Sequence, residues 1–121
     1  MARPESQVDE GKMCHGVRVP YGDCDPTLES ICRLLSRYSE QHPGSRCEAY
    51  RRNPWSIRIL VEDPGVETLD SWVRTDRVWD LIDDLSEEVL MEVSLLIVVT
   101  PKERAADINA VEFDHPLPAA G

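Results

Sequence analysis

"SRCEAYRRNPWSIRILVE", residues 45–62, carries the alternation that decides the fold. In an extended chain Cys47 and Ala49 fall on one side, and Arg46, Glu48 and Tyr50 on the other. After "RRNP" (51–54) a second alternation sets Ile57, Ile59 and Val61 against Ser56, Arg58, Leu60 and Glu62. Two period-two runs with a tight connection predict an antiparallel hairpin.

Upstream, "DPTLESICRLLSRYSEQHPG" (25–44) reads as a helix. Asp25 suits the cap, Pro26 the first helical position and Glu29 the positive end. Leu28, Ile31, Cys32, Leu35 and Tyr38 make one apolar stripe at i, i+3, i+4 spacing, and "HPG" stops it. Downstream, "DPGVETLDSWVRTDRVWDLIDDL" (63–85) leaves the hairpin through a turn and becomes a second helix. Asp70 is its expected cap, with Thr68 competing, and Val78, Leu81, Ile82 and Leu85 point inward. Trp72 and Trp79, seven positions apart, share one helix side. One is expected to finish the core edge and the other to stand partly exposed as a partner anchor. "SEEV" (86–89) gives a further turn or a short loop.

"MEVSLLIVVT" (91–100) is the third strand, with Val93, Leu95, Ile97 and Val99 on one side and Ser94, Leu96 and Val98 on the other. A run this apolar predicts cover on both faces. "PKE" ends it, and "AVEF" (110–113) reads as a short added strand. Residues 1–24 read as a flexible arm in which "VRVPY" (17–21) forms a short edge strand.

The order α-β-β-α-β gives an α+β fold: a three-stranded mixed sheet with two helices on one face. The third strand returns parallel to its neighbour by a right-handed crossover. A single domain over residues 25–104 is expected, between the arm (1–24) and a C-terminal tail (105–121). The outward residues Leu60, Leu96 and Val98 are too apolar to meet water. Either the tail covers them, or a homodimer forms through the outer sheet face.

The 121 residues carry a net charge of −10, unevenly placed: 26–62 net +2 and 63–90 net −7. An acidic surface repels nucleic-acid phosphates. No apolar run reaches the ~18 residues of a membrane span, and the N-terminus has no secretory h-region. A cytoplasmic protein with four reduced cysteines is expected. Cys32 and Cys47 read as core packing. "MCHGVRVPYGDCD" (13–25) supplies Cys14, His15 and Cys24 as the metal-ligand candidates. It contains no Cys-x-x-Cys pair, and neighbouring Cys and His rarely serve one tetrahedral ion, so no metal or cofactor is expected. Asp80, Asp83, Asp84, Glu87 and Glu88 read as a solvated face, because they lack EF-hand spacing. Arg46, Arg51, Arg52 and Arg58 form the basic patch of the hairpin.

Across residues 27–102, the element order and the run "IRILVEDPGVETLDSWVRTDRVW" (57–79) resemble the BolA family, whose fold is related to the type II KH domain. The last strand, "VSLLIVVTPKE" (93–103), is similar to that family's final strand and its Thr-containing turn. The resemblance implies a partner such as a monothiol glutaredoxin and an iron–sulfur cluster held through a helix histidine. Here Val66 stands at the family's aromatic position, Thr68 at its turn glycine and Thr75 at its ligand histidine. "RRNP" supplies no ligand in the loop between the first two strands, and the GxxG clamp of KH domains is absent. With no nucleophile–base pair or phosphate loop visible, the expected function is a non-catalytic module of BolA-like type. It docks another protein through Arg51, Arg52 and Arg58 and the start of the second helix, Trp72, Arg74 and Thr75. The alternative is an iron–sulfur accessory protein with Cys14 or Cys24 as replacement ligands.

Overall fold

The computed structural model describes residues 12–115. It is an α+β fold whose five-stranded mixed sheet runs in chain order: β1 (Lys12–Cys14), β2 (Val17–Val19), β3 (Arg46–Asn53), β4 (Ser56–Glu62) and β5 (Val93–Val99). The predicted hairpin is β3–β4, antiparallel, with Asn53 opposite Ser56 and Cys47 opposite Val61. The Asn53 side chain accepts from the Trp55 amide at 2.9 Å, an Asx-type contact that tightens the turn. β5 lies parallel to β4.

The first helix, α1 (Pro26–Gln41), follows its sequence signals closely. Asp25 caps it by accepting from the Leu28 amide at 2.9 Å, and the stripe from Leu28 to Tyr38 is buried. α2 (Ser71–Ile82) begins after Asp70 and buries Val78 and Ile82. α1 packs on β3 and on α2, and α2 packs on β5, so the two helices cover one sheet face together.

The sheet departs from the expected three strands at its N-terminal side. Residues 12–19 form a small hairpin, and β2 pairs with β3 in parallel through Arg18 and Glu48. Val17 and Val19 are fully buried, so β2 belongs to the core. Two alternating valines are too short a run to separate from a loop in sequence, and only α1, folding back over them, gives them a core to face. Residues 1–11 of the arm and 116–121 of the tail lie outside the described residues.

The C-terminal side differs too. Pro101 opens α4 (Pro101–Ala106) rather than ending structure, because Thr100 and Glu103 make a reciprocal capping box. "AVEF" is helical, not a strand: α5 (Ile108–Val111) starts at Asp107, which accepts from the Asn109 amide at 2.7 Å. "SEEV" starts α3 (Glu87–Glu92), capped by Ser86.

Register also corrects one grouping. Leu96 and Val98 pair with Ile59 and Val61 and share the helix face, whereas Leu60 pairs with Ile97 on the outer face. That outer face is closed by the chain's own residues 101–115. Phe113 is fully buried there, its ring 5.3 Å from that of Tyr50 in an edge-to-face contact. Leu60 is fully buried within the chain itself.

Candidate functional site

Each hairpin arginine expected at a docking surface is engaged by the molecule's own acids. Arg51 shares the helix face and donates to Asp25 at 2.7 Å and to Glu92 at 2.8 Å, tying the start of α1 to α3. That bond is the main reason the Asp25 carboxyl sits below its ordinary range. Arg58 and Arg52 face Glu112 at 3.1 and 3.5 Å on the other side of the sheet. Glu112 also accepts from the Tyr50 hydroxyl at 2.7 Å. The basic patch is thus a set of clamps. Sequence reading missed this because the matching acids lie up to 60 positions away in the chain, too far for local spacing to join them.

Trp72, Arg74 and Thr75 do come together, but with β5 rather than with the hairpin. They line a groove of about 400 Å³ between the first turns of α2 and the run Leu96–Val99, closed at one end by Glu103 and Asp107. β5 is an edge strand among the described residues, since it pairs with β4 alone. The Asp63 amide donates to Val99 O, so Val99, Ile97 and Leu95 aim their backbone groups inward at β4. Leu96 and Val98 then aim theirs at the groove. The Val98 carbonyl is taken by Arg74 at 3.3 Å.

Arg74 is the fixed wall of this groove. It is 92% buried by the complement of its 8% exposure, and all five of its N–H donors are used. Nε donates to Leu69 O at 2.9 Å, Nη1 to Val98 O and to Glu103 Oε1 at 2.6 Å, and Nη2 to Glu67 O at 3.3 Å and Glu103 Oε2 at 3.2 Å. It positions α2, β5 and α4 against one another and has no donor left for a partner. Thr75 bonds back to Ser71 O at 3.2 Å. Trp72 is the exposed wall: 68% of it meets solvent, against 36% for Trp79. Both rings stand outside the core, where one was expected to complete it.

The Arg74 hydrogen bond holds the Glu103 carboxyl at about 2, against an ordinary 4.5. A carboxylate with a folded value below its unfolded one stabilises the fold fully above pH 4.5, and that share is lost as pH falls from 4.5 towards 2. The effect is modest because Glu103 is partly solvated. Urea midpoints should fall across this window, and Glu103→Gln should flatten the fall. Equal slopes for the two chains would remove Glu103 from the acid response.

The cysteines differ from the all-reduced expectation. Cys14 and Cys24 are disulfide-bonded, while Cys32 and Cys47 are free and buried. Burial pushes the Cys32 thiol up to about 12 and the Cys47 thiol up to about 11, so both are protonated at ordinary pH while no cation is bound. His15 contacts Glu29 at 3.2 Å. None of these residues lines the α2–β5 groove.

No family model, curated protein or solved structure matches this chain. No helix among the described residues is long and apolar enough to cross a membrane.

Proposed function

We propose that this chain is a non-catalytic interaction module that takes an extended, basic segment of another protein as an added strand along β5, with Trp72 as the anchor. One observation carries the reading: an apolar edge strand faces an open groove with a large exposed aromatic on its far wall. Strand addition draws affinity from backbone bonds along a free edge and specificity from pockets for alternate side chains. The outward groups of Leu96 offer the former. Trp72 and the half-buried Leu96 and Ile97 offer the latter. The partner's charge follows from residues 63–90, which net −7 and include the exposed face of α2.

Over residues 26–99 the order is helix, hairpin, helix, strand with the short α3 inserted before the last strand; apart from that insertion it is the order that the BolA-like resemblance implies, and it supports placing the chain near that family. The proposed docking face includes the start of α2 and leaves out the hairpin arginines, because their charges are matched by the chain's own acids. The iron–sulfur alternative rests on Cys14 or Cys24, which are bonded to each other and lie away from the groove, where Thr75 offers only a hydroxyl bonded to its own helix.

Random decapeptides displayed against the immobilised full chain test this reading. Selected sequences should alternate apolar residues with Lys or Arg. Their binding, followed by fluorescence anisotropy, should weaken at least tenfold in Trp72→Ala, about 1.4 kcal/mol. Amide exchange at Leu96 should slow on binding. Peptides that bind Trp72→Ala equally well and leave Leu96 exchanging freely would place the docking face elsewhere.

A further inference from the structure

A second cluster lies away from the groove and is independent of it. Cys14 ends β1, Cys24 immediately precedes the cap of α1, and Cys32 sits two turns along that helix. Their three sulfur atoms all lie within 4.8 Å of one another. The turn that makes this possible has His15 at φ 53° and Gly16 at φ 83°, so β1 doubles back beside β2 and brings Cys14 to the helix. None of the three pairs has short metal-motif spacing, so topology rather than sequence assembles the set.

We propose that Cys14, Cys24 and Cys32 form a binding site for one thiophilic divalent cation of the zinc class in the reduced protein, with the Cys14–Cys24 disulfide as the metal-free oxidised state. Tetrahedral zinc–thiolate bonds of about 2.3 Å place sulfurs roughly 3.8 Å apart, so a triad this tight matches one ion. Soft thiolates select such ions over calcium or magnesium. Cys32 supplies a buried, fixed donor, and Cys14 and Cys24 are half-exposed, which gives the ion a route in and leaves its fourth position to water. Three thiolates around a divalent ion carry one net negative charge, and Cys24 holds it beside the positive end of a 16-residue helix. The site also has a structural purpose. β1 and β2 have three residues each, too few to hold by themselves, and either state of the cluster pins them to α1.

The interconversion is balanced. A dithiol reductant gives two electrons and two protons to the Cys14–Cys24 bond, leaving two thiols and becoming a disulfide itself. The cation then displaces one proton from each of the three thiols. In a reducing compartment the metal state would replace the disulfide.

The full chain, reduced by a phosphine and freed of metal under anaerobic conditions, is titrated with Co²⁺ as a spectroscopic probe. One ion per chain is expected, with thiolate-to-cobalt charge-transfer absorbance, bleached by Zn²⁺. Affinity should fall at least about 100-fold in Cys32→Ser and stay unchanged in Cys47→Ser. Because Cys32 is a core residue, the unmutated chain gives a second readout. Zn²⁺ should slow alkylation of Cys14 and Cys24 by an order of magnitude or more. Absence of the charge-transfer band, cobalt affinity that survives Cys32→Ser, or alkylation of Cys14 and Cys24 unaffected by zinc would each overturn the site.

Discussion

Arg104→Ala is expected to destabilise the fold by about 4 kcal/mol, the scale seen when one partner is removed from a buried ion pair. Arg104 leaves α4 and reaches the outer sheet face, where Nη1 donates to Glu48 at 2.7 Å and to Glu62 at 3.1 Å, and Nη2 to Asp114 at 3.1 Å. Glu48 is 4% exposed and Glu62 6%. Burial works against the arginine's charge, and the bonds to Glu48, Asp114 and Glu62 outweigh it, holding the guanidinium protonated. Without it, two largely buried carboxylates lose their shared partner. Arg18, at 2.8 Å from Glu48, and Arg46, at 3.0 Å from Glu62, still answer part of that charge, so the loss stays at the middle of the expected range. With a urea dependence of about 2 kcal/mol per molar, the unfolding midpoint should drop by roughly 2 M. Glu48→Gln in the Arg104→Ala background should recover part of it, because the stranded charge is gone. A midpoint shift below about 0.5 M would mean that water already solvates Glu48 and Glu62 and that the network is only a surface lattice.

That network explains which parts of the architecture were legible in the sequence. The helix from Pro26 and the hairpin from Arg46 announce themselves because cap, stripe and alternation agree over a dozen or more residues. Glu48 and Glu62 alternate correctly to the outer face, but outward reads as solvated unless something covers it. The cover comes from Arg104, Glu112 and Phe113, more than 40 positions later, and no local pattern links them. One signal was present: Thr100-Pro-Lys-Glu103 is a capping box with proline at the first helical position, which marks a helix rather than the end of structure. Recognising it would have turned the tail into an element with a face to bury.

The candidate groove was half legible. Trp72, Arg74 and Thr75 fall within one helical turn in sequence, and they line the same groove. The opposite wall is not legible in sequence, where alternation puts Leu96 and Val98 on the outer surface with Leu60. A parallel neighbour fixes register through the crossover and not through a turn, so which alternate set of β5 faces α2 depends on how far α2 and α3 carry the chain. The thiol triad was missed for a related reason. Cys32 fits the apolar stripe of α1 so well that packing accounts for it, and only the doubled-back β1 brings Cys14 against it.

Phe113→Ala should show how the outer face is closed. Emptying a fully buried phenylalanine site costs about 3–5 kcal/mol when the surroundings cannot collapse. Here the surroundings can give way, because Phe113 follows the four-residue helix α5 at the end of the described chain. The segment 108–115 is held by Ala110, the Glu112 clamp, the Arg104–Asp114 bond and the Phe113 ring. Losing the ring therefore favours local detachment over global unfolding, the cheaper of the two openings. Detachment bares Leu60, Tyr50 and Ile97, an apolar patch on the outer sheet face, and an exposed patch of this kind associates. The expected result is self-association of Phe113→Ala, read as a concentration-dependent rise in mass by sedimentation together with binding of an apolar dye. A chain ending at Asp107 should associate at least as strongly, since it removes the clamp as well. Addition of a peptide spanning residues 108–115 should compete with that association, because it refills the same surface. If the truncated chain stays monomeric and excludes the dye, the outer face is protected by α4 and the Arg104 network alone, and Phe113 is a passenger on it.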